Sequence, residues 1–471
     1  MTTTRPSTSE MLAKFAYSFD PSTVNDEHLR TCARAITDTY AVCMAGANEL
    51  AAVRMRKYIY GLALGAGGEQ QLGYGAARLW GRGIATTVEC AALLNGTSAH
   101  VLDFDDASSS MGGHPSVALL PALIALAEWR DISGLRLASS YVVGYEIASK
   151  LGSALSKAHY DRGWHMTSSI GTIAAAAACA HLLELEFDQT VSAIGLAVSQ
   201  AAGTRQNFGF DAKSFQAGQC GAAALRATLL AEQGFTASPL AMDGEAGYTS
   251  LYSKSEDISQ AMLTLNTAPL EIDRAGVEIK KYPACYAVHR PLDGLFQVKR
   301  EFGIRLDDVE SIYIKTSYGT LSPLLRRLPE NGVEGKFSME YVIAAALEDN
   351  EIRLSTFTDE AVRRPRLRKV MASVKSIESP GEITPRWAEI SVHMKDGRQL
   401  SQRIDALRGD ASNPLSDDDL LAKVSDCLAW AGSPIEAAKL YRGAKLIRTG
   451  SVREVLNAIE STQVLPERGI R

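Results

Sequence analysis

Ionisable side chains crowd into one stretch of the chain between two apolar segments that are rich in Ala and Leu. Three aspartates, Asp103, Asp105 and Asp106, lie close in sequence to His100 and His114. Because burying carboxylates and imidazoles without partners is costly, such a cluster is more typical of a cleft than of a core. The cluster therefore predicts an enzyme active site. Two other uses of these aspartates stay open, capping of a helix N-terminus and binding of a divalent metal by Asp103, Asp105, Asp106 and His114.

The same DxDD run also matches the acid motif of class II terpene cyclases. Only 7% of the residues are aromatic, which is few for the aromatic-lined cavity that those enzymes need. We therefore do not assign the chain to that class.

Two more segments place an ionisable residue just before a helix of small residues. His165 precedes a helix start that Thr or Ser would cap. An imidazole there can have a pKa near neutrality, which suits general acid–base work, although a solvated histidine in a capping loop fits the pattern equally. Lys213 ends a loop flanked by aromatic residues and is a candidate anchor for a substrate carboxylate. The alternative is a lysine at the surface.

The segment from Lys280 to Arg290, KKYPACYAVHR, combines cations, tyrosines, a cysteine and a histidine. Because the helical pattern before this segment gives way to strand-like alternation after it, we interpret the segment as an anion clamp where two domains meet. Cys285 is interpreted as a wall residue of the site, since no local signature marks a Cys–His couple. Lys336 and Tyr341 stand at the start of a predicted helix and are candidates to reach the same cleft, although the segment could also be a helix cap alone.

These candidates are predicted to stand on a mainly α-helical scaffold. From about residue 9 to 265 the chain reads as helices whose small, Ala-rich faces allow close approach. Strand-like alternation then marks residues 309–317 and a hairpin at 388–404, with a helix at 337–349 between them. Amphipathic helices return after Pro414.

We therefore predict two domains. Residues 1–269 together with 406–471 would form a large all-helical domain from both chain ends, and residues 270–405 would form a smaller α+β domain. The smaller domain is expected to act as a lid.

Composition excludes several classes of protein. The 471 residues are 46% hydrophobic and carry a net charge of −5 without a basic tract, which argues against a nucleic-acid partner. The apolar runs are shorter than the roughly 20 residues of a membrane span, and no signal peptide is recognised, so a cytoplasmic protein is predicted. The seven cysteines are scattered, so we expect no disulfide framework, zinc site or iron–sulfur cluster, and HExxH, Walker A and GxGxxG motifs are absent.

Six ordered motifs resemble the MmgE/PrpD family over about residues 10 to 460. They are NGTSAHVLDFDD, GGHPSVALLPA, GWHMTSSIG, FDAKSFQAG, KKYPACYAVHRP and EGKFSMEYVIAAAL. The resemblance implies that family's fold, usually a homodimer with the active site between domains, and a cofactor-independent reaction on a small polycarboxylate. Known members include 2-methylcitrate dehydratase, cis-aconitate decarboxylase and iminodisuccinate epimerase.

The resemblance also implies site residues. The decarboxylase branch would place its functional groups at Asp103, His114, His165, Lys213, Lys280 and Tyr341, and all six residue types are retained. Ala107 stands where that branch has Thr, and Cys285 where it has His, which puts decarboxylation in doubt. The residues of the segments AHYDRGWHMTS and CYAVHRPLDGLF are most similar to those of the epimerase branch.

The predicted chemistry is abstraction of a proton beside a carboxylate. His165 or His114, oriented by Asp103, would be the base, and Lys213, Lys280 and Arg290 would stabilise the enediolate-like charge. Loss of hydroxide would then give a dehydratase, which we place first, and reprotonation by Tyr341 or the second histidine would give an epimerase. A polycarboxylate-binding protein with a degenerate site is the non-enzyme alternative.

Overall fold

The computed structural model describes residues 5–65, 77–253, 258–382 and 385–460. The chain divides into two compact units, Met1–Ile279 with Leu420–Arg471, and Lys280–Asp419. The second unit begins after the predicted bound at residue 270 and extends past the predicted bound at 405. Among the described residues, no helix is both long and apolar enough to cross a membrane.

The first unit is built almost entirely of α-helices, several of which begin at a side-chain cap such as Ser7 before α1 or Thr87 before α4. Up to residue 279 its helices are α1 Thr8–Ser18, α2 Asp26–Gly46, α3 Leu50–Gly65, α4 Val88–His100, α5 Pro115–Arg130, α6 Gly134–Asp161, α7 Met166–Leu182, α8 Phe187–Val198, α9 Asp211–Glu232, α10 Tyr248–Ser253, α11 Ser259–Met262 and α12 Glu271–Arg274. A small antiparallel pair, β1 Ala77–Leu79 and β2 Ile84–Thr86, lies between α3 and α4 in sequence.

Small residues let α4 and α9 cross with their backbones nearly in contact. A Cβ added to Gly96 would lie 2.8 Å from the Cα of Gly218, and one added to Gly218 would lie 2.2 Å from the carbonyl oxygen of Leu93. Any larger side chain at Gly218 would therefore force the helices apart. This crossing brings the start of α9 close to the end of α4, which is where the candidate site lies.

The second unit contains a four-stranded sheet and several helices. Its helices are α13 His289–Phe302, α14 Gly332–Gly335, α15 Met339–Asp349, α16 Asp359–Val362 and α17 Pro365–Met371, and its strands are β3 Val309–Thr316, β4 Val374–Glu378, β5 Ala388–Met394 and β6 Gln399–Ile404. The strand order is β4-β3-β5-β6, with β3 and β4 parallel and the other pairs antiparallel.

The strands have one buried face. Ile312 and Ile314 of β3 and Ile390 and Val392 of β5 alternate with more exposed residues and join one core cluster with residues of α13 and α15. The predicted strand, hairpin and helix all occur. Strand β4 was not predicted, because it is short and its parallel partner is distant in sequence.

From the last residues of the second unit onward the chain returns to helices, α18 Asp417–Ala431, α19 Ala437–Ala444 and α20 Val452–Ile459. From Leu420 onward these residues belong to the first unit, so both chain ends contribute to it. The prediction of a mainly α-helical protein is confirmed.

Candidate active site

Three imidazoles of the first unit lie together at helix ends. His100 is the last residue of α4, while His114 and His165 directly precede α5 and α7. The ring centroid of His100 is 4.7 Å from that of His114 and 5.8 Å from that of His165. The fold therefore gathers residues that are far apart in sequence into one polar group.

Two glycines allow the loop before α5 to lie against the first turn of α7. Gly112 has a φ of 70°, in the left-handed region that favours glycine, and a Cβ on Gly113 would lie 3.0 Å from the backbone nitrogen of Thr167. The backbone N–H of His114 donates to the hydroxyl of Thr167 at 3.1 Å. This contact sets His114 beside the start of the helix that His165 precedes.

The tautomer of His165 follows from its hydrogen-bond partner. The side-chain nitrogen of Gln216 donates to the carbonyl of Thr204 at 3.2 Å, so its oxygen Oε1 is left to accept from Nδ1 of His165 at 2.7 Å. Nδ1 therefore carries the hydrogen, and Nε2 carries a lone pair. Burial, together with the neighbouring His100 and the positive Lys213, holds the pKa of His165 well below its usual value, so the imidazole is neutral at neutral pH.

His114 has the same tautomer for a similar reason. Its Nδ1 donates to the backbone carbonyl of Asp106 at 2.7 Å, and its Nε2 lies 3.8 Å from Oδ1 of Asp103. In the tautomer that these partners select, Nε2 is the atom of His114 and of His165 that could accept a proton, as a general base must.

Asp103 contacts Lys213 more closely than it contacts His114. Its Oδ1 accepts from Nζ of Lys213 at 2.6 Å, and the two side chains are only 12% and 15% exposed. Asp103 also has a φ of 54°, a conformation that Asp adopts more readily than most residues. The ammonium group predicted to anchor substrate is therefore held by the aspartate that was predicted to orient an imidazole.

Asp105 is fully buried among the imidazoles. Its Oδ2 lies 2.8 Å from Nδ1 of His100 and 3.3 Å from Nδ1 of His114. Burial alone would raise the pKa of Asp105, but the two imidazoles outweigh it and hold the pKa well below its usual range. Asp105 is thus a buried carboxylate whose charge faces the candidate bases.

The side chain of Asp106 holds the start of helix α5. Its carboxyl group accepts from the backbone N–H and from the hydroxyl of Ser116 in the first turn of α5, and that hydroxyl also contacts Tyr141. Burial raises the pKa of Asp106 well above its usual value, which favours the neutral acid. Of the three aspartates in the DxDD run, Asp106 is therefore the one that fits the helix-cap interpretation.

A buried ion pair contacts the loop that carries Asp103, Asp105 and Asp106. Nζ of Lys423, in α18, lies 2.6 Å from Oδ1 of Asp38 in α2 and donates to the carbonyl of Phe104 at 2.8 Å. Both charged side chains are almost fully buried. Because Phe104 stands between Asp103 and Asp105, this pair fixes the backbone that carries both carboxylates.

Among the residues that the structure describes, one set could hold a metal ion. His100, Asp105 and His114 each offer a donor atom, and these atoms lie within 4.8 Å of one another. The Nδ1 atoms of both imidazoles already donate hydrogen bonds to oxygen acceptors, so a metal ion bound through Nδ1 would have to replace those bonds.

The other predicted site residues belong to the second unit. Lys280 is 1% exposed, and Cys285 and Lys336 are also buried. The backbone N–H of Cys285 donates to the carbonyl of Lys336 at 3.0 Å, so these two segments lie side by side. Arg290 donates from Nε to the carbonyl of Asp405 at 3.2 Å.

Tyr341 is fully buried in the second unit. Its hydroxyl donates to the carbonyl of Thr356, and burial raises its pKa to about 12. The role of Tyr341 as a proton donor stays a prediction. That Lys213 and Lys280 bind the same substrate molecule also stays a prediction.

Sequence reasoning missed Gln216, Asp38 and Lys423. Gln216 had a usable signal, because it follows Lys213 by three residues on one helix and therefore shares its face. Asp38 and Lys423 had none, since they come from opposite ends of the chain and meet only in the folded unit.

The chain matches two family models. One, described as the MmgE/PrpD N-terminal domain, covers residues 10–261, and the other, the MmgE/PrpD C-terminal domain, covers residues 282–442.

The chain is also similar to named relatives. It is 29% identical over 367 residues to a protein of Mus musculus named cis-aconitate decarboxylase, covering 74% of this chain and 73% of the relative. It is 28% identical over 372 residues to the Homo sapiens protein of the same name, covering 75% and 76%. A "cis-aconitate decarboxylase-like protein oryM" of Aspergillus oryzae is 26% identical over 396 residues, covering 75% and 78%.

Proposed function

The chain belongs to the MmgE/PrpD family, and from that premise we propose that it is a cofactor-independent lyase that removes a proton beside a carboxylate of a small di- or tricarboxylate. Relatives named as decarboxylases of a tricarboxylate support both an enzyme and the class of substrate. We place a dehydratase of the 2-methylcitrate type first.

The observation that carries the proposal is a pair of imidazoles, each held through Nδ1 by a hydrogen bond, near the ammonium group of Lys213. A C–H group next to a carboxylate is a very weak acid, so removal of its proton needs a base that is unprotonated at working pH and a cation that stabilises the enediolate. His165 and His114 offer Nε2 as the base, and Lys213 supplies the positive charge. In the proposed step the proton passes to Nε2, and the carbon keeps the electron pair.

The competing reactions differ in the fate of this electron pair or in the bond that supplies it. Expulsion of hydroxide from the next carbon gives an alkene and makes the enzyme a dehydratase. Return of a proton to the opposite face gives an epimerase. In a decarboxylase the electron pair comes instead from the bond to carbon dioxide, and a protonated imidazole would complete the product.

The named relatives favour the decarboxylase as a second candidate. Two residues weigh against it, Ala107 and Cys285, since each replaces a side chain that the decarboxylase branch is expected to use. Ala107 has no polar side-chain atom and pairs with Glu278 through two backbone hydrogen bonds of 2.9 and 3.1 Å.

One experiment separates these reactions. The protein is incubated in deuterated water with 2-methylcitrate, citrate, cis-aconitate and iminodisuccinate, and products are followed by NMR together with release of carbon dioxide. Deuterium exchange with a new double bond supports the dehydratase, exchange without one supports the epimerase, and carbon dioxide from cis-aconitate supports the decarboxylase. Binding without exchange or turnover of any compound would overturn the enzyme proposal in favour of a binding protein.

The cluster of His100, Asp105 and His114 makes a metal-dependent hydrolase the other candidate to be tested. Our proposal predicts that turnover survives prolonged chelation by EDTA. A stoichiometric divalent ion in the purified protein, lost together with activity on chelation, would contradict it.

The homodimer also stays a proposal. Its test is the mass of the protein at catalytic concentration, measured by light scattering. A monomeric mass with full activity would refute it.

A further inference from the structure

His100 is the most deeply buried of the three imidazoles at the site. Its side chain is 0% exposed, and its Nδ1 donates to Oδ2 of Asp105 at 2.8 Å. Because a carboxylate only accepts, Nδ1 carries the hydrogen. Its Nε2 has no hydrogen-bond partner among the described residues.

The ring of His100 contacts both candidate bases. It meets the ring of His114 edge-on, with an interplanar angle of 73°, and stacks on the ring of His165 at 28°. Burial lowers the pKa of His100 to about 4, so the ring is neutral at neutral pH. His100 thus adds no charge of its own to the site.

The oxygen that His100 holds is the one that faces His114. Oδ2 of Asp105 lies 3.3 Å from Nδ1 of His114, whose hydrogen bond to the Asp106 carbonyl already fixes the tautomer. The carboxylate therefore adds negative charge rather than tautomer control. That charge would stabilise the imidazolium that forms when Nε2 of His114 accepts a proton.

We propose that His100 is a positioning residue for the reaction, whose Nδ1–H holds the carboxylate of Asp105 against His114. This inference rests on the proposed function, because it assigns to His114 a charge that appears only during proton transfer. His100 need not itself exchange a proton.

A matched pair of variants tests the inference. His100→Asn places an amide N–H close to the position of Nδ1, whereas His100→Gln places its amide near the position of Nε2 and leaves Asp105 without its donor. We expect His100→Gln to lose about 10- to 100-fold in kcat with KM little changed, since the lost stabilisation belongs to the transition state. His100→Asn should retain most of the kcat. Equal losses in both variants, or a loss confined to KM, would overturn the inference.

Crystal structures of the two variants decide the positioning without any substrate. The distance from Oδ2 of Asp105 to Nδ1 of His114 should stay near its present value in His100→Asn and lengthen in His100→Gln. An unchanged distance in His100→Gln would overturn the inference even if the polycarboxylate panel fails and the proposed function falls with it.

If His100→Gln does not fold, Asp105→Asn takes its place, because it removes the charge and keeps the size. Its kcat should fall by a similar factor. A kcat equal to that of the wild type would overturn the inference.

Discussion

Replacing Gln216 with leucine should disable His165 without touching the imidazole itself. The side-chain oxygen of Gln216 accepts from Nδ1 of His165 at 2.7 Å, and leucine has a similar size but no acceptor. His165 is only 4% exposed, so water does not readily replace the lost partner. The hydrogen on Nδ1 would be left unpaired, which favours its transfer to Nε2, the atom that must remain free to act as a base.

The expected loss follows from the cost of an unpaired buried donor. That cost is about 1–3 kcal/mol, which corresponds to a decrease of about 5- to 150-fold in kcat/KM. Gln216→Glu is the matched variant, because its carboxylate keeps an acceptor at the same place. It should preserve the tautomer and raise the pKa of His165, so the acid limb of the pH profile of kcat/KM should move to higher pH.

The assay is the rate of deuterium incorporation into the reacting polycarboxylate, followed by NMR across a range of pH. Circular dichroism and thermal melting of both variants control for loss of fold. A Gln216→Leu enzyme with wild-type kcat/KM would refute the reasoning, and so would a Gln216→Glu enzyme whose acid limb moves to lower pH.

Four further predictions address other contacts. His165→Ala should lose about 10²- to 10⁴-fold in turnover with an intact fold, and an unchanged turnover number would remove it from the mechanism. Combined substitution of Asp103 and His114 should cost less than the product of the single losses, whereas fully multiplicative losses would show independent roles. Lys213→Met should raise KM by about one to two decades, measured by steady-state kinetics, because it removes a charge-assisted contact of roughly 1.5–3 kcal/mol; an unchanged KM would contradict this role. Burial lowers the pKa of His181 to about 4, so the neutral ring contributes stability that is lost as pH falls below ~6.5 towards 4. Relative to His181→Gln, the wild type should lose about 2 kcal/mol of unfolding free energy between pH 7 and pH 5, measured by urea titration at the two pH values. The same change in unfolding free energy for both proteins would refute this.

The sequence by itself determined the helical character of the protein and the segments that carry its chemistry. Alanine-rich periodicity predicted the helices, and alternation with a turn at residues 395–398 predicted the hairpin of β5 and β6, because both patterns depend on neighbours along the chain. Crowded aspartates and histidines marked the loop before α5, since unpartnered charge is costly in any fold.

Only the tertiary structure decided which partner each ionisable group has. Asp103 pairs with Lys213, Asp105 faces His100 and Asp106 binds Ser116, although adjacent aspartates look alike in the sequence. The partners come from the three helices α9, α4 and α5, and the pairing of Asp103 with Lys213, 110 positions away, depends on the crossing of α4 with α9. The same holds for the protonation states, because a pKa is set by burial and by charges that the fold brings within a few ångströms.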